Sequence, residues 1–156
     1  MSTINGLPAH VLLVHFIVVL APLTAILAIV SAVWPAARRR LIWLVAILAV
    51  IVTVLTPLTT EAGEWLEDRA GDSPLLHTHT ELGDTMLYFA LGLLVATILL
   101  VIVHVRDTRQ KPLSTAVTAA VAAVVLIAGA ATCVQVYRIG DSGARAAWGE
   151  TAASGQ

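Results

Sequence analysis

Four long apolar runs constrain this chain more than any other feature of its sequence. A helix that crosses the bilayer needs about 20 mostly apolar residues. The runs span about residues 11–34, 41–60, 85–105 and 113–137, and none of them contains Asp, Glu, Lys or Arg. Because the membrane core offers no water to backbone N–H and C=O groups, such runs cross it as helices. The sequence therefore predicts four membrane-spanning helices.

Composition supports the membrane class and excludes several others. Of the 156 residues, 58% are apolar and 12% are charged, whereas a soluble domain carries about 25% charged residues. The net charge of -1 gives no basis for binding nucleic acid. The single cysteine, Cys133, excludes an internal disulfide and a CxxC motif. We expect one domain over residues 1–149 and a disordered tail over residues 150–156.

The basic residues predict how the helices are oriented and paired. Six of the nine Lys and Arg residues lie in two short connections, residues 35–40 and 106–112. Basic loops remain in the cytoplasm, so both termini and the long middle loop are expected to be extracytoplasmic. Short connections make successive helices antiparallel. The predicted fold is therefore an all-α integral membrane protein, an antiparallel four-helix bundle.

Histidines and acids collect at the predicted outer face. Four of the five histidines lie there, together with nine of the ten acids. His15 lies inside the first apolar run, where an ionisable residue usually faces the bundle interior and a partner. The candidate ligands are His15 and His79 first, His10 and His77 next, and the carboxylates Glu61, Glu64 and Asp84 as further ligands or as partners of the ligands.

Two kinds of cofactor site would use these residues. One is a transition-metal centre of Fe, Cu or Zn, because imidazole and carboxylate groups from several helices suit these metals. The other is a b-type haem with axial imidazoles from two helices. His15 on the first helix and His79 or His77 on the third lie at compatible depths. No His-x-x-x-His or Glu-x-x-His motif within a span decides between the two.

Several local signals predict how the helices end and pack. The second helix is expected to continue beyond the bilayer as far as Asp68, and Ser73 and Pro74 favour a start of the third helix near Leu75. The glycines around Asp141 and Ser142 predict a turn. That turn would fold the C-terminal segment over the outer mouth of the bundle. Small residues of the fourth helix, from Ala116 to Ala130, predict close helix packing.

Five segments of the chain resemble the bacterial membrane protein family called domain of unknown function 2231. They are Gly6–His10, Leu13–Phe16, Thr60–Glu64, His79–Asp84 and Gly140–Ala144. The chain departs from the family pattern at Val11 and Ile17, where prolines are usual, and it keeps both histidines of the opening motif. The resemblance implies a multi-pass protein of the bacterial plasma membrane. Relatives fused to cytochrome-like or rubredoxin-like modules favour a redox role.

Two functional hypotheses follow from these observations. The first is a small membrane protein with a haem or transition-metal site near its extracytoplasmic face, used in electron transfer or metal handling. The second is a non-catalytic membrane subunit whose outer His and acid cluster is structural or docks a partner. The expected partners are the lipid bilayer and either a membrane redox partner or a second copy of the chain, with no nucleic acid. A transporter is disfavoured because no charged residue lies mid-membrane.

Overall fold

Four helices make up almost all of the described structure. A computed structural model describes residues 3–4, 7–70 and 74–153, with side chains for residues 10–67 and 74–148. Two short strands, β1 (Thr3–Ile4) and β2 (Leu7–Pro8), pair antiparallel ahead of the first helix. The helices are α1 (Ala9–Val33), α2 (Pro35–Ala70), α3 (Pro74–Thr108) and α4 (Thr115–Ala153).

The four helices form a closed antiparallel bundle. Each helix packs on the next in sequence, and α4 packs back on α1, while α1 and α3 touch only slightly across the diagonal. All four helices are long and apolar enough to cross a membrane. The predicted all-α four-helix membrane bundle is therefore confirmed.

Small residues of α1 bring it close to its neighbours. Ala21, Ala25 and Ala28 are fully buried along one face of the helix. Gly129 of α4 lies against Ile29, because a Cβ at position 129 would be 2.9 Å from the Cδ1 of Ile29. Small residues allow this close approach, and dispersion contacts then hold the helices together in the absence of a hydrophobic driving force.

The predicted packing role of the small residues in α4 is mostly wrong. Ala116, Ala119, Ala120, Ala123 and Ala130 are exposed. The face of α4 that packs into the bundle instead holds Val125, Gly129, Thr132 and Val136, at the i, i+4, i+7, i+11 spacing of one helical stripe.

The helices extend further than the apolar runs. At 1.5 Å per residue, the 36 residues of α2 reach about 54 Å, well beyond a hydrocarbon core of about 30 Å. The predicted extension of α2 past residue 60 is confirmed. The helix α3 begins at Pro74, one residue before the expected start, and Ser73 lies outside the described residues.

The predicted turn in the C-terminal segment is wrong. α4 runs without interruption through Gly140 and Gly143 and ends at Ala153. Arg145 pairs with Asp141 of its own helix at 3.0 Å instead of reaching back to the middle loop. Residues 150–153, expected as part of a disordered tail, belong to this helix, and residues 154–156 lie outside the described part of the chain.

One buried amide links α4 to α3 inside the bundle. Gln135 is 2% exposed. Its Nε2 donates to the Thr85 hydroxyl at 2.7 Å and to the Leu82 carbonyl at 3.2 Å. In an apolar surrounding a polar side chain must find such partners, so Gln135 sets how the two helices pack at this level.

The end of the bundle with Arg38, His104 and Asp107, here the arginine end, contains an ion pair between helices. Arg38 of α2 is 6% exposed, and its Nη2 donates to Asp107 Oδ2 of α3 at 2.8 Å. Asp107 is the one acid that the sequence places among the basic connections. The pair joins the start of α2 to the end of α3.

The helix α3 ends in a Schellman motif. The N–H of Gln110 donates to the Asp107 carbonyl at 3.1 Å, and the N–H of Lys111 donates to the Arg106 carbonyl at 3.0 Å. Gln110 has a φ of 56°, the left-handed conformation that this motif requires and that glycine adopts most readily. Pro112 follows and prevents the helix from continuing.

Candidate functional site: a cavity with two histidines

A cavity of about 90 Å³ lies at the opposite end of the bundle, here called the histidine end. Side chains of all four helices surround this histidine cavity. Most of its wall is apolar, with Ile17, Met86 and Val136 among the lining residues, and two imidazole rings, those of His10 and His79, also line it.

His10 reaches the cavity from the first turn of α1 and is held by α2. Its Nδ1 lies 3.0 Å from the backbone carbonyl oxygen of Thr59. A carbonyl oxygen can only accept, so Nδ1 carries the proton and donates it. In the neutral ring the lone pair is then on Nε2. Gly63, one turn beyond Thr59, leaves room for the ring, since a Cβ there would lie 3.0 Å from His10 Nδ1.

His79 reaches the same cavity from α3 and is held by α4. Its Nδ1 lies 3.0 Å from the hydroxyl of Ser142. That hydroxyl donates its own proton to the Ile139 carbonyl at 2.9 Å, so it accepts from Nδ1–H of His79. The lone pair of this ring is again on Nε2. Gly143 leaves space for this ring, because a Cβ at position 143 would lie 3.0 Å from His79 Cε1.

The two histidines therefore occupy matching positions in the two helical hairpins. In each hairpin the first helix supplies the imidazole, and the second supplies a hydrogen-bond acceptor and a glycine against the ring. The ring centres of His10 and His79 are 6.4 Å apart, with an angle of 83° between the ring planes. The geometry brings two imidazoles that both donate from Nδ1 together in one apolar cavity.

The other two candidate histidines lie away from this cavity. His15 is exposed, and its Nδ1 donates to the Val11 carbonyl of its own helix. His77 has a side chain that is 71% exposed, and it lies 3.7 Å from Glu67 and 3.4 Å from Glu81. At about 100° per residue, His15 lies about 140° around α1 from His10, and His77 about 160° around α3 from His79. Each helix can therefore present only one of its two candidate histidines to the cavity.

The candidate carboxylates also divide between the cavity wall and positions outside the cavity. Asp84 lines the histidine cavity, whereas Glu61 and Glu64 are exposed outside it. Glu67, which the sequence did not single out, also lines the cavity. Among the described residues, no group of three or more His, Cys, Asp or Glu side chains is arranged to hold a metal ion.

The fold and this cavity define a class of protein. The chain is a four-span helical membrane protein that holds two imidazoles at one end of its bundle. It belongs to the family DUF2231, described as a predicted membrane protein, whose model matches residues 6–154. The resemblance noted in the sequence is thus confirmed. No curated protein and no solved structure matches the chain.

All five segments that carry the family resemblance contribute residues at the histidine cavity, with Val14 of Leu13–Phe16 in its wall. Gly6–His10 supplies one imidazole and Thr60–Glu64 supplies the glycine behind it. His79–Asp84 supplies the other imidazole and Gly140–Ala144 supplies its glycine. The glycines are the residues whose role the sequence analysis missed. The signal was present, since each glycine lies in a segment that carries the family resemblance, but only the packing shows which ring each glycine faces.

Proposed function

We propose that the histidine cavity binds a transition-metal ion through Nε2 of His10 and Nε2 of His79, and that the protein handles metal at this end of the membrane. One observation carries the proposal: both Nδ1 atoms donate hydrogen bonds, to the Thr59 carbonyl and the Ser142 hydroxyl. A histidine that binds a metal almost always donates its other ring N–H to such an acceptor, which orients the ring and raises its basicity.

The spacing of the rings supports a shared ion. A metal–nitrogen bond of about 2.0–2.1 Å puts two ring centres about 5 Å apart at a tetrahedral angle and about 6 Å apart when the rings lie on opposite sides. The ring centres of His10 and His79 are 6.4 Å apart, which matches the wider arrangement. Imidazole suits Zn, Cu, Fe and Ni, and the thioether of Met86 in the cavity wall favours copper among these.

The size of the cavity favours an ion over a haem. Pockets for molecules of cofactor size occupy roughly 300–1,000 Å³. The histidine cavity measures about 90 Å³, well below that range. An ion and its water ligands fit this volume, whereas a haem would require the helices to move apart. Two imidazoles would also suit the axial positions of a haem, but the cavity size is the stronger constraint.

Metal analysis of the purified protein tests the proposal. We expect about one Cu, Zn or Fe ion per chain in mild detergent, lost in His10→Ala and in His79→Ala. His15→Ala and His77→Ala are the matched controls, because both rings lie outside the cavity and their removal is expected to leave the metal content unchanged. Visible spectra of the reduced and oxidised protein complete the test. A Soret band in the protein that disappears in His79→Ala would show that the cavity holds a haem and not an ion. A spectrum that changes with redox state would favour electron transfer.

A structural role for the two histidines is the second candidate. It is favoured by the same hydrogen bonds, since His10 ties α1 to α2 and His79 ties α3 to α4. A structural role predicts that His10→Ala lowers the unfolding temperature equally with and without metal. A bound ion at 100 times its Kd stabilises the folded state by about 2.7 kcal/mol. The metal role therefore predicts that the variant chiefly loses the stabilisation gained on adding metal.

We further infer that the histidine end faces away from the cytoplasm, in a bacterial plasma membrane. The support is the clustering of Arg38, Arg39 and Arg106 at the opposite end. The test is labelling of intact cells with a membrane-impermeant maleimide in a Cys133→Ala background. Glu64→Cys is expected to label in intact cells, and Arg109→Cys only after lysis. The reverse pattern would invert the orientation.

A further inference from the structure

A second cavity lies at the arginine end, far from the two histidines. It measures about 360 Å³, four times the volume of the histidine cavity, and most of its lining surface is polar. This arginine cavity is formed by the start of α2 and the end of α3, and its wall includes Arg38, Arg39, His104, Asp107 and Gln110.

The wall of the arginine cavity has an excess of positive charge. Two guanidinium groups, those of Arg38 and Arg39, face one carboxylate, that of Asp107. Arg38 is buried and pairs with Asp107 at 2.8 Å, so these two charges compensate each other. Arg39 is exposed and has no ion pair within residues 10–67 and 74–148. One positive charge is therefore left to attract an anion.

His104 is a buried polar side chain that makes no hydrogen bond with the described residues. It is 8% exposed, and its ring meets Trp43 edge to face, with the ring centres 6.4 Å apart. Neither ring nitrogen has a hydrogen-bond partner among the described side chains and backbone. In the neutral ring one nitrogen therefore carries an uncommitted N–H, which can donate to a group inside the cavity that His104 lines.

The helix α2 adds to the attraction for an anion. It begins at Pro35, which also lines the arginine cavity. The N-terminus of a helix carries a partial positive charge and backbone N–H groups that suit phosphate. The exposed indoles of Trp34 and Trp43 lie at the same end, where aromatic side chains mark the headgroup level of a membrane.

We propose that the arginine cavity binds a phosphate-bearing anion, either the headgroup of an anionic phospholipid or free phosphate. Arg39 would pair with the phosphate oxygens, and His104 would donate a hydrogen bond to them. Arginine binds phosphate with two parallel hydrogen bonds, and basic pockets between membrane helices hold anionic headgroups. This proposal does not depend on the metal site, which lies at the other end of the bundle.

Native mass spectrometry of the full chain in detergent tests the proposal, with phosphatidylglycerol, phosphatidylcholine and inorganic phosphate as separate probes. We expect selective binding of phosphatidylglycerol over phosphatidylcholine. Arg39→Gln is expected to weaken it roughly tenfold. His104→Phe keeps a ring against Trp43, so the fold is retained, and removes the nitrogens. The matched control is Arg40→Gln, which removes an equal charge outside the cavity and is expected to change binding less than about twofold.

The probes separate the two sources of phosphate and the outcomes decide the proposal. Selective binding of phosphatidylglycerol that Arg39→Gln and His104→Phe both weaken supports a headgroup site. Binding of inorganic phosphate with the same losses supports a site for free phosphate. Equal losses in Arg39→Gln and Arg40→Gln would show a general surface-charge effect and overturn the proposal. So would binding that does not discriminate between the lipids, together with no binding of phosphate.

Discussion

The two ends of the bundle each hold histidine in a cavity wall, and they do so in different ways. At the histidine end, His10 and His79 donate from Nδ1 to fixed acceptors, and each ring lies against a glycine. At the arginine end, His104 lies against Trp43 and has no hydrogen bond among the described residues. The histidine cavity is small and apolar, whereas the arginine cavity is four times larger and cationic.

The difference teaches that the neighbours of a histidine decide its chemistry. A ring whose Nδ1–H is committed keeps a directed lone pair on Nε2 and can bind a cation. A ring without a committed proton, beside two arginines, can donate to an anion. The same residue type thus supports opposite ligand charges at the two ends of one bundle. The predictions below test whether the ends are as different, and as independent, as the structure shows.

The largest effect is expected from removing the carboxylate at the arginine end. Asp107→Ala leaves Arg38 buried without its partner, and we expect the free energy of unfolding to fall by about 3 kcal/mol. This is the lower end of the range for a buried pair, because the Asp107 side chain is 38% exposed. Thermal unfolding in detergent measures the loss. The control is Asp141→Ala, whose pair with Arg145 is exposed and contributes less than about 1 kcal/mol. Loss of metal from the histidine cavity in Asp107→Ala would show that the two ends are coupled.

The next largest effect is expected at the histidine end, where the two glycines of the Gly140–Ala144 segment should respond differently to substitution. Gly143→Ala puts a methyl group 3.0 Å from the His79 ring, so the ring must shift, at a cost of about 2 kcal/mol and roughly 10–100-fold in metal affinity. At Gly140 nothing lies within 4 Å of an added Cβ. Gly140→Ala should therefore stabilise α4 by about 0.5–1 kcal/mol. Equal effects of the two changes on unfolding and metal titration would contradict the assigned contact.

A smaller effect is expected where α3 and α4 are joined below the histidine cavity. Gln135→Leu removes the hydrogen bonds to Thr85 and Leu82, and we expect a loss of about 1 kcal/mol, as for other hydrogen bonds between membrane helices. Thr85→Val removes one of these bonds, together with the bond that the Thr85 hydroxyl donates to the Leu82 carbonyl within α3, and should cost a similar amount. Combining both changes in a double-mutant cycle isolates the shared bond. A strictly additive result would show that the 2.7 Å contact contributes nothing.

The smallest effect concerns the end of α3 at the arginine cavity. Gln110→Gly relieves a left-handed conformation that costs a side-chain residue about 1–2 kcal/mol, and the extra chain entropy of glycine offsets part of this gain. We expect a net stabilisation of about 0.5 kcal/mol in chemical unfolding. Gln110→Ala keeps the strain and should show no gain. A gain from alanine as large as that from glycine would mean that removal of the glutamine side chain, and not its backbone, was responsible.

The sequence by itself determined the membrane class, the number of helices and the antiparallel order. These features depend on local patterns, since an apolar run needs only its own length and composition to cross a bilayer. The family motifs also marked the residues that line the histidine cavity. His79 and His10 were among the candidates, although His15 was placed ahead of His10.

Only the tertiary structure decided which of these residues meet. The rotation of each helix about its axis turns His10 and His79 toward one cavity and leaves His15 and His77 outside it. That rotation is set by packing, such as Gly129 against Ile29, and by contacts between residues far apart in the chain. The hydrogen bond from His79 to Ser142 spans 63 positions, and the pair of Arg38 and Asp107 spans 69. Such pairings follow from the summed packing of four helices, which a one-dimensional pattern does not contain.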